Sequence, residues 1–285
     1  MRVLSLVFAL VLAGCSTASD GLEEATEQET RSVRLDNRQL ALDGFAGDVT
    51  VTAVPGLEEV EIVFTKRATG GTVGRAERRL RDITLREAGD DALYQFVWRT
   101  DLDGASVDAE ARVPLGADVV VRLGAGEIGA NGLRGPLDAE TRSGAIRADH
   151  LRSPRLRLST GSGAITAGAA FLSENAEWEI ESESGGLTIL IPPTASVRVD
   201  AESNAGALDL DPELPFESIR QSGGPAGVDF RASLGEGSAR VRASTGAGDV
   251  ELLRYKPPVP ESEAAREMEP VRPDSSVRDS SDAAE

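Results

Sequence analysis

The chain has 285 residues, a formal net charge of −18 at pH 7, one cysteine and one histidine. Such an acidic chain is a poor partner for nucleic acid or anionic lipid headgroups, because both require clustered lysine and arginine. One cysteine cannot form an intramolecular disulfide, so packing must stabilise the folded part, and 40% hydrophobic residues allow this. Aromatic residues make up only 4% of the chain and glycines number 30, which suits thin stacked strands.

The N-terminus predicts a secretory signal peptide over residues 1–14. Arg2 precedes an apolar run over residues 3–12, and the chain then reads Leu12-Ala13-Gly14-Cys15. A positive end, a short apolar core and small residues at a cleavage site are typical of signal peptides. The run is shorter than the roughly 20 residues that span a bilayer, so we expect it to be removed rather than retained as a transmembrane helix.

The tetrapeptide that ends at Cys15 resembles the lipobox of bacterial lipoproteins. In that family the cysteine becomes the first mature residue and carries a thioether-linked diacylglycerol, usually with a third acyl chain. The resemblance implies that Cys15 is the site of lipid attachment and that the anchor is effectively permanent, because each buried CH₂ contributes about 0.8 kcal/mol. Ser16 follows, and the absence of Asp there favours the outer membrane in the enterobacterial sorting pattern. An ordinary cleavable signal with a chance cysteine is the alternative.

Composition divides the rest of the chain into a folded centre and two flexible ends. Residues 15–31 are rich in Ser, Thr, Glu and Gly and predict a flexible tether. Residues 256–285 are rich in Pro, Ser and Glu and predict a disordered acidic tail. Residues 32–255 are predicted to form one β-repeat domain.

Residues 55–113 interrupt the pattern of that domain. We predict an insertion or cap that covers an open sheet edge, as stacked repeats require. Its predicted elements are strands at Val60–Lys66, Ile83–Glu87 and Leu93–Arg99, a short basic helix near Arg75–Arg81 and a turn at Gly89–Asp91.

The rest of the domain repeats a pattern anchored on glycine. Apolar residues stand seven and five positions before each anchor, and two and four positions after it. Mostly charged, Ser, Thr or Gly residues lie between them, so each unit predicts a strand, a glycine turn and a second strand with one buried face. The anchors are Gly47, Gly126, Gly144, Gly163, Gly185, Gly206 and Gly248.

The spacing of the anchors favours a β-solenoid. From Gly126 to Gly206 the steps are 18, 19, 22 and 21 residues, and the last step, 42, equals two turns of that length. The predicted fold class is therefore all-β, a β-solenoid with coils of about 18–22 residues and glycine-rich turns. A chain of antiparallel hairpins is the alternative, because two strands around a glycine turn are also a hairpin pattern.

A hydroxyl residue stands three positions before most anchors. If the coils stack in register, these hydroxyls form a ladder in which each satisfies a backbone group of a neighbouring coil. Leu123 departs from this rule. The hydroxyl residues are Thr141, Thr160, Ser182, Ser203 and Thr245.

The sequence carries no catalytic or metal-binding motif, and it predicts a protein that is not an enzyme and has no cofactor. His150 is the only base available for a Ser-His-Asp hydrolase, and we predict that it lies in an exposed loop. Zinc is not expected without paired cysteines or H-E-x-x-H. The glycines at 124 and 126 precede a strand, whereas a nucleotide-binding loop opens a helix. Calcium is not expected, since only Asp48 and Asp249 directly follow an anchor.

A glycan lyase is the enzymatic alternative. It would need carboxylates and basic residues gathered on one exposed face, although a charged and solvated strand face accounts for the same residues. The candidates, which are near one another in sequence, are Asp138, Glu140, Arg147, Asp149 and Arg157.

Several segments resemble a known bacterial family. They are the glycine turns Ser159–Ile165 and Ser244–Val250 and the strand entries Val113–Ala117 and Ile191–Ala195. The family is that of the putative adhesin domains of unknown function, related to the autotransporter adhesin head domain. The resemblance covers residues 40–253 and implies a right-handed β-helix-like stack outside the cytoplasm; the family names no catalytic residue, so none is carried over. Residues 204–206 and 212–227 depart from the pattern, and we expect one coil to bulge there.

The combined expectation is a lipid-anchored, non-enzymatic binding protein. Its partners would be the membrane, through the lipid, and a glycan or a protein bound by weak multivalent contacts on a repetitive polar face. A periplasmic envelope-sensing or structural lipoprotein is the alternative function.

Overall fold

The computed structural model describes residues 8–10, 21–99, 103–224 and 227–257. Of residues 8–10 it describes the backbone alone. The regular secondary structure of the described residues is nearly all β-strand, with one short helix. The chain divides into two units, Met1–Tyr255 and Lys256–Glu285, and the strands and the helix belong to the first. Cys15, most of the signal peptide and nearly all of the acidic tail lie outside the described residues. Within the described ranges, no helix is long and apolar enough to cross a membrane.

The described residues of the first unit form 22 strands and one helix. In chain order these are β1 (Phe8–Leu10), β2 (Glu23–Val33), β3 (Gln39–Ala46), β4 (Val49–Val54), β5 (Val60–Gly70), α1 (Val73–Asp82), β6 (Thr84–Gly89), β7 (Leu93–Arg99), β8 (Ala105–Pro114), β9 (Val119–Ala125), β10 (Ile128–Asn131), β11 (Leu137–Ser143), β12 (Ile146–Leu151), β13 (Arg155–Ser162), β14 (Ile165–Ala169), β15 (Glu177–Ser184), β16 (Leu187–Ile191), β17 (Val197–Ser203), β18 (Leu208–Leu210), β19 (Glu217–Gly224), β20 (Gly227–Leu234), β21 (Ala239–Thr245) and β22 (Val250–Arg254).

The strands form two mixed sheets of 11 strands each. Sheet A has the order β1-β2-β5-β8-β4-β10-β12-β14-β16-β22-β18, and sheet B has the order β19-β20-β17-β21-β15-β13-β11-β9-β3-β7-β6. Both are open sheets. Parallel pairing joins all neighbouring strands of sheet A from β8 to the end of the order at β18. It also joins all neighbouring strands of sheet B from β17 to β7.

At each glycine anchor the chain passes from sheet B to sheet A. Before Gly126 it runs through β9 in sheet B, and after Gly126 it runs through β10 in sheet A. Each strand pairs in parallel with the equivalent strand of the next unit, so that Leu137 of β11 lies between Val119 and Leu156. A hairpin would instead pair the two strands on either side of the glycine, so the hairpin alternative does not describe these units.

The apolar positions of the repeat form the core between the sheets. The residues seven and five positions before every anchor are buried, as predicted. Those two and four positions after the anchor are also buried, except Leu208 and Leu210, which are half-buried. Both belong to β18, which pairs only with β22 at the edge of sheet A.

The predicted hydroxyl ladder is confirmed. Each hydroxyl donates to the carbonyl oxygen of the glycine anchor in the adjacent unit. Each is a buried polar group whose hydrogen bond contributes about 1 kcal/mol. The pairs are Thr141 with Gly126 (3.2 Å), Thr160 with Gly144 (3.0 Å), Ser182 with Gly163 (3.1 Å), Thr245 with Gly185 (2.9 Å) and Ser203 with Gly248 (2.8 Å).

The anchors must be glycine for two reasons. Gly144 has φ +145°, a conformation that residues with side chains rarely adopt, and a Cβ there would lie 2.0 Å from the carbonyl oxygen of Gly126. Gly206 differs, because its φ is not positive. A Cβ at Gly206 would nevertheless lie 2.0 Å from the carbonyl oxygen of Gly248, so close backbone approach alone requires glycine there.

The last unit does not follow the others in chain order. Strands β21 and β22 lie between the unit of β15 and β16 and the unit of β17 and β18. The intervening residues form an antiparallel hairpin, β19 and β20, of which β20 pairs with β17. The bulged coil expected at residues 212–227 is therefore wrong: a hairpin extends the end of sheet B instead.

The interrupted segment forms the elements predicted for it and also holds most of β8, which the sequence does not predict. Strands β5, β6 and β7 and helix α1 occupy the expected places, and β7 has the predicted bounds. Thr72 caps the helix by accepting a hydrogen bond from the backbone N–H of Arg75, and Leu80 packs into the core. Strands β6 and β7 extend sheet B past β3, while β5 extends sheet A past β8.

The flexible tether predicted for residues 15–31 is wrong from Glu23 onward. Strand β2 pairs antiparallel with the whole of β5. Its charged side chains find partners within the sheet: Glu29 binds Arg31 of the same strand and Lys66 of β5, with the Lys66 ammonium 3.2 Å from the carboxylate. Composition predicts a tether here because the segment has few large apolar residues, and it does not show the partners that pairing with β5 provides.

Candidate binding face

The outward face of sheet B over β11, β13, β15, β21, β17 and β20 is densely charged. We call this surface the charged face. Strand alternation sends the apolar residues into the core and the intervening residues to solvent. In register, one row crosses all six strands with charges that alternate in sign, namely Asp138, Arg157, Glu179, Arg242, Asp200 and Arg231.

The middle of the charged face holds a basic depression with a volume of about 200 Å³. Its charged lining residues are Arg155 and Arg157 on β13, Glu177 and Glu179 on β15, and Arg240 and Arg242 on β21. The pattern is Arg-x-Arg, Glu-x-Glu, Arg-x-Arg on three neighbouring strands.

The arginines of the basic depression are weakly engaged. The Nε of Arg157 lies 3.8 Å from a carboxylate oxygen of Glu179, a long ion-pair distance. Arg155, Arg240 and Arg242 form no ion pair or side-chain hydrogen bond with any residue that the structure describes, and all three are exposed. These guanidinium groups therefore keep their hydrogen-bond donors free for a ligand.

An acidic depression of about 170 Å³ adjoins the basic one. It shares Glu179 and Arg242 with the basic depression. Arg231 binds Asp229 at 3.2 Å and Asp200 at 3.8 Å, so part of its charge is neutralised internally. The charged residues that line the acidic depression are Glu179, Glu181, Asp200, Glu202, Asp229, Arg231 and Arg242.

The five residues proposed for a lyase do not come together. Asp138, Glu140 and Arg157 lie on the charged face of sheet B, whereas Arg147 and Asp149 belong to β12 in sheet A. Ordinary ion pairs account for several of them. Arg122 binds Asp138 at 3.1 Å and Glu140 at 3.4 Å, and Arg147 binds Glu127 at 2.6 Å.

His150 does not occupy the exposed loop predicted for it. It is half-buried in β12 at a bulge, with φ +57°. Its ring meets Tyr255 edge-on at 5.9 Å, and its Nδ1 is buried without a hydrogen-bond partner among the described residues. Burial, and next the nearby Asp149 carboxylate, raise the pKa of Tyr255. The His150 imidazole thus packs against the Tyr255 ring at the bulge of β12.

The two aspartates that follow anchors have a structural role. Asp48 accepts a hydrogen bond from the backbone N–H of Glu127 at 2.8 Å, and Asp249 accepts one from Ala207 at 2.7 Å. Each carboxylate thus satisfies a backbone donor in the next unit. The described part of the chain contains no group of three or more His, Cys, Asp or Glu side chains arranged to hold a metal ion.

The basic depression is not predicted from the sequence, although the arginines that form it stand at equivalent positions of two repeat units. Arg155 and Arg157 stand eight and six positions before one anchor, and Arg240 and Arg242 stand eight and six positions before another. These units are far apart in sequence and become near neighbours only because β21 inserts beside β15.

The similarity of this chain to known proteins is a similarity of fold. No family model and no curated protein matches the chain. The chain shares its fold with a putative cell adhesion protein from Clostridium sporogenes. The two are 14% identical, with a TM-score of 0.50 over 81% of this chain and 100% of that one.

Two further solved structures show weaker similarity. A putative adhesin from Bacteroides fragilis is 11% identical, with a TM-score of 0.28 over 79% of this chain and 97% of that one. A putative lipid binding protein from Parabacteroides distasonis is also 11% identical, with a TM-score of 0.27 over 80% of this chain and 97% of that one.

Proposed function

We propose that the protein is an exported, lipid-anchored and non-enzymatic binding protein, an adhesin that engages its partner through the charged face. The observation that carries this proposal is the basic depression, in which three exposed arginines form no ion pair or side-chain hydrogen bond with the described residues. In a chain of net charge −18, solvent-facing arginines have many acids available as partners. A cluster that leaves them unpaired is suited to an external ligand.

The separation of the lyase candidates supports a binding role over catalysis. A general acid and base must both reach the same substrate bond, within hydrogen-bond distance of the atoms they serve. Arg147 and Asp149 lie in sheet A and the remaining candidates lie in sheet B, so the set cannot line one cleft.

We propose further that the two sheets are two sides of one β-solenoid. The chain changes sheet at each glycine anchor, and equivalent residues of neighbouring units pair in parallel register. The spacing of 18–22 residues along the central units is the length of one coil. Strands β21 and β22 insert between units that precede them in the chain, so the final coils do not stack in chain order as the central coils do. The right-handed sense rests on the family resemblance alone.

Replacing Cys15 with Ala tests the lipid anchor. We expect the wild-type protein in the membrane fraction, and the exported variant in the soluble fraction, because loss of the acyl chains removes the membrane affinity. The measurement is fractionation of cells followed by immunoblotting. Ser16→Ala is the matched control and is expected to stay with the membrane. A wild-type protein that fractionates like Cys15→Ala would rule out the anchor.

Protease treatment of intact cells tests adhesion. We expect proteinase K to digest an adhesin that faces the outside, while a soluble periplasmic marker survives in the same cells. Digestion after the outer membrane is permeabilised provides the control for protease susceptibility. Survival of the protein in intact cells, with digestion after permeabilisation, would contradict surface adhesion and favour the periplasmic envelope lipoprotein.

A further inference from the structure

We infer that the basic depression binds an acidic saccharide, one whose carboxylate or sulfate groups the arginines clamp. This inference rests on the proposed binding function and names the ligand class of the same face. The juxtaposition that supports it is the pair of Arg-x-Arg segments on β13 and β21, held apart by Glu177 and Glu179 on β15.

The four arginines project from a rectangular arrangement of backbone positions. Arg155 and Arg157 are two residues apart on one strand, which corresponds to about 6.7 Å along a strand. Arg240 and Arg242 repeat that spacing on β21, which is two strand positions away and therefore about 9.6 Å across the sheet. Anionic groups carried on neighbouring sugar rings can reach guanidinium groups on this scale.

Charge and chemistry favour an anion at this place. The basic depression has four arginines and two glutamates, so its formal charge is 4 − 2 = +2, on a chain of −18. Guanidinium presents planar forked donors that match the oxygens of carboxylate and sulfate. The donors of Arg155, Arg240 and Arg242 are not taken by any described carboxylate.

The acidic depression next to it disfavours a polyanion that carries a charge on every unit. Its lining has five acids and two arginines, so its formal charge is 2 − 5 = −3. A nucleic acid would place phosphates over both depressions and be repelled by one of them. A saccharide can set an acidic group on the arginines while hydroxyls of the next ring donate to Glu181 or Glu202.

The charged face also lacks what an apolar ligand needs. Among the described residues, the large apolar side chains that are exposed lie away from both depressions. Lipid tails and hydrophobic peptides would find no contact there. The exposed residues in question are Leu22, Phe45, Val73, Phe171 and Ile219.

The test uses the full mature protein in a nonionic detergent. The probes are digalacturonate, which is short enough to stay on the basic depression, with its methyl ester, and a hyaluronan tetrasaccharide, whose acidic rings alternate with neutral ones, with its carboxyl-reduced form; binding is measured by calorimetry. We expect at least one acidic probe to bind, and neither neutral counterpart. The double variant Arg155→Ser with Arg240→Ser is expected to weaken that binding about tenfold or more, because charge-assisted hydrogen bonds are lost.

Arg122→Ser is the matched control. Arg122 is exposed on the same sheet face, but Asp138 and Glu140 occupy it, so its loss is expected to change binding less than about twofold. Equal weakening by Arg122→Ser, or equal binding of the acidic and neutral probes, would overturn the inference.

A wild-type protein that binds none of the probes would also overturn the ligand class. The adhesin function is judged separately, by proteinase K treatment of intact cells, so the two can fail independently. Thermal unfolding of each variant shows whether it is folded, and we expect no change because all three replaced side chains are exposed.

Discussion

Ile165→Asp is expected to lower the free energy of unfolding by about 3–5 kcal/mol, because it places an unpaired carboxylate in the core. Ile165 is 0% exposed and lies in parallel register between Ile146 and Leu187. No partner for a carboxylate exists at these apolar positions. Chemical denaturation of the variant and the wild type measures the difference.

Thr166→Asp is the control for this experiment. Thr166 faces outward on the same strand, and its neighbour in register is Arg147, which would meet the new carboxylate with an opposite charge. We expect a change of at most about 0.5 kcal/mol. Equal stability of the two variants would contradict the register of β14.

The repeat could be predicted because its physical causes are local in sequence. Alternation of apolar and polar residues sets which side of a strand is buried, and this is visible within one unit. The hydroxyl of Thr160 lies three positions before its anchor, and it reaches the carbonyl oxygen of Gly144, which belongs to the unit before. The fixed offset of the hydroxyl from its anchor and the near-constant spacing of the units are therefore enough to predict the ladder.

The order of the final units could not be predicted in the same way. The 42-residue step before Gly248 fits two coils placed one after the other. In the structure, the hairpin of β19 and β20 takes up that length, and β21 returns between β15 and β17. The residues of β19 are all exposed, so no alternation of burial marks this strand in the sequence.

The basic depression depends on this unpredicted strand order, in which β21 lies beside β15. If the units followed chain order, β17 would lie beside β15, and Arg198 and Asp200 would take the places of Arg240 and Arg242. The second Arg-x-Arg segment would then stand farther from the first. A binding surface made from units distant in sequence can be recognised only once the strand order is known.

Gly144→Ala is expected to lower the free energy of unfolding by about 3 kcal/mol or more, through backbone strain and overpacking together. Gly144 has φ +145°, and a Cβ would lie 2.0 Å from the carbonyl oxygen of Gly126 and 3.3 Å from the backbone nitrogen of Glu127. Both contacts are with backbone, so a rotamer change cannot relieve them. Moving the turn would also strain the hydrogen bond from Thr160 to the Gly144 carbonyl oxygen, which measures 3.0 Å.

Gly186→Ala separates this cause from a general effect of losing glycine. Gly186 follows an anchor in the same row of turns, its φ is not positive, and its Cβ would lie 3.5 Å from the Asp249 carbonyl oxygen, an ordinary contact. We expect a change within about 1 kcal/mol for this variant, measured by denaturant unfolding alongside Gly144→Ala. Similar losses in both variants would mean that the stacked anchors do not depend on the absence of a side chain at the turn.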